Sequence, residues 1–187
     1  MENDFIAARE AVLAEVSEAL RRIDPGEAEA FIAALTKADQ IFAVGVGRVG
    51  LSLSAMVKRL NHIGFRAWMV GDLSEPAATP DDLLIIGSGS GESAIPAAIA
   101  RVAREKGARI AYIGSNPDSS AGRLADVKVR IPVRTKLNLP DEMASEQIMS
   151  SLFEQTLLLF ADAAALAYSR NRGLNLKDLW NRHANLE

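Results

Sequence analysis

Serine and glycine residues alternate in one short loop of the 187-residue chain. The segment LLIIGSGSGES passes from four apolar residues into a run that holds Ser88, Ser90 and Ser93, and residues 88–93 are called the serine loop below. Hydroxyl groups and backbone N–H groups that precede a helix can surround a phosphate by hydrogen bonds. One serine would suffice to cap the following helix, so three serines favour a phosphate-binding loop over a simple helix cap.

Two further loops of small residues follow apolar segments. GVGRVG contributes Gly47 and Arg48, and SNPDSS contributes Ser115 and Asn116. A guanidinium inside such a loop can contact the oxygens of a substrate, although an arginine there can also point into solvent. Asn116-Pro117 is typical of a turn, so contact of Ser115 and Asn116 with a ligand is a secondary role beside turn formation.

The first of these loops also has a different interpretation. GVGRVG matches the G-x-G-x-x-G pattern of dinucleotide-binding folds, and Asp72 lies where an acid that binds ribose would follow. Glycines after any strand of an α/β protein also permit tight turns and close helix packing. A dinucleotide fold does not require the serine loop, so a dinucleotide site is the lesser alternative.

Glu154 is the candidate general base. It is the single acid in the segment SLFEQTLLLF, and a carboxylate in apolar surroundings becomes a stronger base. The plain alternative is an acid near the start of a helix, where the helix dipole favours negative charge. Asp162, two turns further along, is interpreted as an ordinary polar position on the same helix.

His62 and His183 are the two histidines of the chain, and each is a candidate polariser or proton shuttle. His62 precedes Gly64 at the end of a predicted helix, where the dipole would also favour it. His183 lies in the polar tail NRHANLE, which could equally be a disordered end. Their wide separation and the lack of an H-x-x-x-H spacing predict that the protein holds no metal.

Composition limits the partners. A net charge of -3 and a pI near 5.5 provide no basic footprint for nucleic acid or for an anionic membrane surface. The lack of cysteine excludes disulfides and thiolate metal sites and is compatible with the cytoplasm. The first residues lack a signal-peptide pattern. The segment 148–167 approaches the length of a membrane span, but its internal charges predict a buried helix of a soluble protein or a helix at a subunit contact.

Hydrophobic periodicity predicts the elements that position these residues. An apolar stripe from Phe5 to Ile23 predicts an amphipathic helix, and Asp24, Pro25 and Glu27 predict a capping box at the start of a second helix. Beyond residue 38, short β-branched segments alternate with helical ones. This order predicts a three-layer α/β/α sandwich around a five-stranded parallel sheet. The predicted strands are residues 41–44, 67–70, 83–86, 110–113 and 127–131, with the clearest helices at 49–63 and 94–106.

Several motifs together resemble the sugar isomerase (SIS) domain family and, within it, the 6-phospho-3-hexuloisomerases. They are VGVGRVGL, RLNHIGF, LLIIGSGSGES, SNPDSSAGRLADVKVRIPVRTK, SLFEQ and the terminal RHANLE. The resemblance extends over nearly the whole chain and implies a single domain of residues 1–187, with N-terminal helices in 1–38 and the α/β core, C-terminal helix and tail in 39–187. The chain departs from the family pattern at Val49, where a serine is usual, so one hydroxyl contact is missing.

The resemblance implies interconversion of 3-hexulose 6-phosphate and fructose 6-phosphate through a cis-enediol(ate), without a cofactor. It implies that Glu154 is the base and that His62 or His183 acts from a neighbouring chain. It also implies a homo-oligomer, by resemblance a tetramer, with sites near subunit contacts and hexulose-phosphate synthase as a pathway neighbour. The alternatives are another phosphosugar aldose-ketose isomerase and a phosphosugar-binding module without turnover, and the latter would have no need of an acid beside the substrate.

Overall fold

The fold is a five-stranded parallel sheet between two layers of helices, as predicted. The computed structural model describes residues 2–175 and 177–186, and the strands lie in the order β2-β1-β3-β4-β5. The helices are α1 (Glu2–Arg21), α2 (Pro25–Lys37), α3 (Gly47–His62), α4 (Ala94–Glu105) and α5 (Ser151–Asn171). The strands are β1 (Ile41–Val44), β2 (Ala67–Met69), β3 (Leu83–Gly87), β4 (Arg109–Gly114) and β5 (Val127–Arg130), and short 3-10 helices cover Gly122–Leu124 and Asp178–Arg182.

The two faces of the sheet have separate cores, because successive side chains of a strand point to opposite sides. In β1, Ile41 and Ala43 pack with the side chains of α1, α2, α3 and α5. Phe42 and Val44 point to the other face, which α4 covers with small residues such as Ala100. Both faces of β1 and β3 are therefore buried, which explains why these strands are continuously apolar.

The start of α2 confirms half of the predicted capping box. The Asp24 carboxylate accepts a hydrogen bond from the Glu27 N–H at 3.0 Å. The Glu27 carboxylate does not complete the box but accepts a hydrogen bond from the Arg130 N–H at 2.7 Å. It therefore joins α2 to β5, the edge strand of the sheet.

Helix α5 is buried by other helices of the same chain. It packs against α1, α2 and α3, and the rings of Phe31 and Phe160 lie 5.4 Å apart. The prediction of a buried helix is therefore confirmed for most of its length, while Leu159 and Leu166 of α5 remain 42% and 43% exposed. No helix in the described ranges combines the length and hydropathy that a membrane span needs.

Only the second half of α1 joins the core. Val16 and Ala19 are buried, followed by Ile23, as the stripe predicts. The first half lies outside the core, where Phe5 is 69% exposed and Ala8 is also exposed. The apolar stripe thus predicts the buried face of α1 correctly in its C-terminal half and wrongly in its N-terminal half.

Candidate active site

Three loops and the first turn of α5 meet at the carboxyl edge of the sheet, where parallel α/β proteins bind ligands. The Ser115 N–H donates to the Gly89 carbonyl at 2.9 Å, and the Ala121 N–H donates to the Gly91 carbonyl at 3.2 Å. A methyl group on Gly89 would lie 3.6 Å from the Phe153 ring. The serine loop is therefore braced by the loop after β4 on one side and by α5 on the other.

The hydroxyl groups of the serine loop order the loop itself and do not cap α4. Ser88 Oγ accepts from the Gly91 N–H at 3.0 Å and lies 3.3 Å from Ser93 Oγ, and Ser90 Oγ accepts from the Glu92 N–H at 3.3 Å. Ser93 is the N-cap residue, but its side chain forms no capping hydrogen bond. A hydroxyl that accepts an N–H keeps its own hydrogen to donate, so this arrangement suits an anion.

Tyr112 of β4 supports the serine loop by a hydrogen bond, a role that the sequence did not predict. Its hydroxyl is buried and donates to the Ser88 carbonyl at 2.9 Å. Burial raises the pKa of Tyr112 to about 12, so the hydroxyl stays protonated at neutral pH. A tyrosine inside an otherwise aliphatic strand that leads into a polar loop was the available signal.

The glycines of GVGRVG have structural roles. Gly47 has φ +58, in the left-handed region that favours glycine, and a methyl on Gly50 would lie 2.9 Å from the Gly45 carbonyl oxygen. Asp72, the acid of the dinucleotide alternative, accepts a hydrogen bond from the Met69 N–H at 3.0 Å within a turn. The glycines of this motif thus permit a tight turn and the close packing of α3 on β1.

Val49 packs against the end of the sheet. A methyl on Gly87 would lie 3.0 Å from Val49 Cγ1, and the valine is partly buried beside the core of α3 and β1. In place of a hydroxyl, the chain has an apolar contact beneath the site. Arg48, one residue earlier, is free of this packing and is exposed.

Arg48 and Glu154 form an ion pair beside the serine loop. Arg48 Nε donates to Glu154 Oε2, the Glu154 side chain is 13% exposed, and that of Arg48 is 65% exposed. Ser52 Oγ donates to the Glu154 carbonyl at 2.9 Å and holds α5 against α3. The expected enclosed setting of Glu154 is present, but it includes a guanidinium that the sequence reasoning did not pair with this acid.

The loop after β4 binds mainly to its surroundings. Ser115 is fully buried, and its hydroxyl donates to Glu142 Oε1 at 2.7 Å. The Asn116 amide oxygen accepts from the Asp118 N–H at 3.2 Å, as in an Asx turn. The predicted turn at Asn116 is therefore confirmed. The predicted contact of Ser115 and Asn116 with a sugar stays a prediction.

The two histidines lie together, far from Glu154. His62 follows Arg48 by about 14 residues along α3, which at ~1.5 Å per residue is roughly 21 Å. The His62 and His183 rings stack with centroids 5.3 Å apart, and Trp180 lies 5.5 Å from His183. They line a cavity of about 290 Å³ between α3, α5 and the 3-10 helix Asp178–Arg182. Within one chain, neither histidine can reach a ligand at the serine loop.

His62 favours the neutral form. Burial lowers its pKa below 6.5, and the nearby charges of Arg59, Lys58 and His183 lower it further. Its Nε2 atom is buried and has no hydrogen-bond partner among the residues that the structure describes. A neutral imidazole at pH 7 is able to accept a proton, as a proton shuttle must.

We expect this histidine to make the fold sensitive to mild acid. The unfolded chain protonates His62 below about pH 6.5 while the folded chain resists, so the free energy of unfolding is constant above that pH and falls as the pH decreases below it. Denaturant unfolding at pH 7.5 and 5.5 measures this loss, and His62→Phe should reduce it. An equal loss in both proteins, together with a normal His62 pKa by NMR titration, would contradict this expectation.

Comparison with known proteins identifies the family. The model of the SIS domain matches residues 34–161. The chain belongs to the SIS domain family. A 3-hexulose-6-phosphate isomerase of Bacillus subtilis (strain 168) is 38% identical over 176 residues, which cover 94% of this chain and 95% of that protein. A 3-hexulose-6-phosphate isomerase of Mycobacterium gastri is 35% identical and covers 92% of this chain and 86% of that protein.

A solved structure agrees with these relatives. The Methanococcus jannaschii protein MJ1247, whose crystal structure infers a 3-hexulose-6-phosphate isomerase function, superposes with a TM-score of 0.82 at 27% identity and covers 97% of this chain and 99% of that one. The superposition thus extends beyond residues 34–161, the part of the chain that matches the SIS domain model.

Proposed function

We propose that this SIS domain protein is a 3-hexulose-6-phosphate isomerase that interconverts D-arabino-hex-3-ulose 6-phosphate and fructose 6-phosphate. The observation that carries the proposal is the Arg48–Glu154 pair, which lies at the same edge of the sheet as the serine loop. A module that only binds phosphosugars needs the loop but not a carboxylate beside the sugar carbons. The two relatives of that name span nearly the whole chain.

The phosphate of the substrate binds at the serine loop in this proposal. Ser90 and one member of the hydrogen-bonded pair Ser88–Ser93 have a hydroxyl hydrogen to donate. Helix α4 begins directly after them, so its first N–H groups lack partners within the helix. The helix dipole adds a partial positive charge at the same place. In this arrangement the phosphate occupies the loop and the sugar extends toward Glu154.

Isomerisation moves two protons, one from C2 to C3 and one from O2 to O3. Glu154 removes the proton from C2 of the 3-ketose, and the electron pair of that C–H bond forms the C2–C3 double bond of an enediolate as the C3 carbonyl becomes an oxyanion. The protonated Glu154 then returns the proton to C3, and O2 loses its proton as the C2 carbonyl forms. Arg48 stabilises the oxyanion, and an imidazole moves the proton between the two oxygens.

The imidazole comes from a neighbouring copy, because His62 and His183 of the same chain are too far from Glu154. Exposed apolar side chains flank the Arg48–Glu154 pair in sequence: Leu51, Ile148 and Met149 are 70%, 81% and 85% exposed. Together with Phe5 and Leu13 of α1, they provide apolar surface for a second chain to cover. We infer a homo-oligomer, a tetramer, with each site at a subunit contact.

The cellular setting follows from the reaction. The protein acts in the cytoplasm as a single domain and takes its substrate from hexulose-phosphate synthase, which joins formaldehyde to ribulose 5-phosphate. The sequential pair of enzymes either fixes formaldehyde or, in reverse, supplies pentose phosphate.

A coupled assay tests this function. The purified protein is incubated with active hexulose-phosphate synthase, ribulose 5-phosphate and formaldehyde, and the formation of fructose 6-phosphate is followed. Product should form only when both proteins are present. Absence of product, with hexulose phosphate accumulating, would reject the proposed substrate.

Mixing two inactive variants tests the shared site. Glu154→Gln and a His62→Gln, His183→Gln double variant should each be nearly inactive as pure oligomers. Unfolded together and refolded as mixed oligomers, they should regain a fraction of native turnover, because some sites then combine an intact Glu154 with intact histidines of another chain. Light scattering should show an oligomer at micromolar concentration. A monomer, or mixed oligomers without activity, would contradict a histidine acting between chains.

A further inference from the structure

The carboxylate of Glu142 is the centre of a small hydrogen-bond cluster after β5. Oε1 accepts the hydroxyl hydrogens of Ser115 at 2.7 Å and Thr135 at 2.8 Å. Oε2 accepts the backbone N–H groups of Thr135 and Leu139, each at 3.0 Å. With four donors around it, this carboxylate has little capacity left to act as a base and instead closes residues 135–142 into a compact loop.

This loop lies against the serine loop. Thr135 is 8% exposed, and a methyl on Gly89 would lie 3.2 Å from its Cγ2 atom. Ser115, which donates to Glu142, also donates its N–H to the Gly89 carbonyl at 2.9 Å. Glu142 is thus linked to Gly89 through two residues. Ser115 binds the Gly89 carbonyl with its N–H, and Thr135 packs its methyl group beside Gly89.

Lys136 follows Thr135 directly, so its position depends on the same cluster. The side chain is exposed, and Lys136 forms no ion pair within the part of the chain that the structure describes. Its charge is close enough to help lower the pKa of Glu92 in the serine loop, where hydrogen bonds from Ser120 are the largest cause. Lys136 is therefore near the proposed phosphate site.

The charges at this edge show why such a cation matters. Glu92, Glu142 and Glu154 all lie in or beside the site, and the charge of Arg48 is already paired with Glu154. A phosphate dianion brought next to these carboxylates needs a cation that is not engaged elsewhere. Lys136 meets that condition, and its long side chain can reach over the rim of the loop.

We propose that Lys136 contacts the phosphate group held at the serine loop and that Glu142 is the positioning residue that presents it. The proposal rests on the proposed function for the identity of the phosphate ligand. It adds a binding residue from the loop after β5 to the serines of the loop after β3. It also assigns a role to Glu142 that is separate from proton transfer.

Direct binding of inorganic phosphate tests the proposal without any isomerase assay, so that its failure is distinguishable from failure of the proposed function. Lys136→Met should weaken phosphate binding about 10-fold, as expected for the loss of one charged contact. Lys106→Met, at the far end of α4, is the matched control and should leave binding unchanged. Phosphate binding that is unchanged in Lys136→Met overturns the contact.

Variants of Glu142 separate positioning from charge. Glutamine can accept both backbone N–H groups through its oxygen and donate to both hydroxyls through its amide, so Glu142→Gln should bind phosphate within about twofold of the native protein. Glu142→Ala removes all four bonds and should weaken binding about as much as Lys136→Met. Weakening by Glu142→Gln equal to that of Glu142→Ala would show that the cluster is not the cause.

A double-mutant cycle decides whether Glu142 acts through Lys136. If it does, Glu142→Ala should have almost no further effect in the Lys136→Met background, whereas independent roles give additive losses. Should Glu142→Ala fail to fold, Thr135→Val detaches the same loop by removing one hydroxyl and takes its place in the cycle. Additive losses in either cycle overturn the positioning role.

Discussion

Replacing Glu154 with glutamine should lower turnover by on the order of 10²-fold to 10⁴-fold, the range expected for loss of a general base. Substrate affinity should remain nearly unchanged, since the carboxylate is needed mainly in the transition state. Glutamine keeps the volume of a side chain that is only 13% exposed. Steady-state kinetics with fructose 6-phosphate, and exchange of its carbon-bound hydrogen with solvent deuterium, measure both effects.

The matched control is Glu105→Gln, an exposed acid at the end of α4, which should keep native turnover and exchange. Near-normal turnover and exchange in Glu154→Gln would mean that the base lies elsewhere, with His62 as the next candidate. Loss of turnover with exchange intact would instead mean that Glu154 acts in a step that follows enediolate formation.

The double variant Ser88→Ala, Ser93→Ala should raise the Michaelis constant on the order of 10²-fold or more. The two hydroxyls lie 3.3 Å apart, and each hydrogen bond to a charged group contributes roughly 1.5 to 3 kcal/mol. Because the phosphate is remote from the reacting carbons, part of the loss should also appear in turnover. Steady-state kinetics and direct phosphate binding measure the change.

Ser54→Ala controls for the serine substitutions, because Ser54 is exposed on α3 and its hydroxyl donates only to the preceding turn at the Gly50 carbonyl. Since Ser88 also orders the loop through Gly91, circular dichroism and thermal unfolding must show that the double variant is folded. A folded variant with an unchanged Michaelis constant would exclude the phosphate role of this loop.

The sequence by itself determined the parallel sheet and its helices. Short apolar β-branched segments such as Leu83–Gly87 have no amphipathic alternation, so they must be buried on both faces, and the helical segments between them require parallel strands. The serine loop could be placed at the carboxyl edge for the same reason. The other two loops could be placed beside it, because the order of parallel strands fixes which loops lie at the same edge of the sheet. The side-chain contacts between those loops do not follow from strand order.

The resemblance supplied the proposed role of Glu154, since composition alone did not distinguish a base from an ordinary acid on a helix. The partners of that acid required the structure. Arg48 is more than a hundred residues away in the chain, and nothing in either local sequence specifies the ion pair. Glu142 and Tyr112 were missed because their hydrogen bonds depend on which groups the fold places around them.

Only the tertiary structure decided where the helices meet and which faces remain open. The periodicity of α1 predicts one apolar stripe, yet only the second half of that stripe is buried in the core, so Phe5 stays exposed. The stacking of His62 on His183 likewise depends on the path of the C-terminal segment. Local sequence sets the period and the ends of an element through backbone sterics and hydrogen bonding, whereas long-range contacts depend on how all the elements fill one common core.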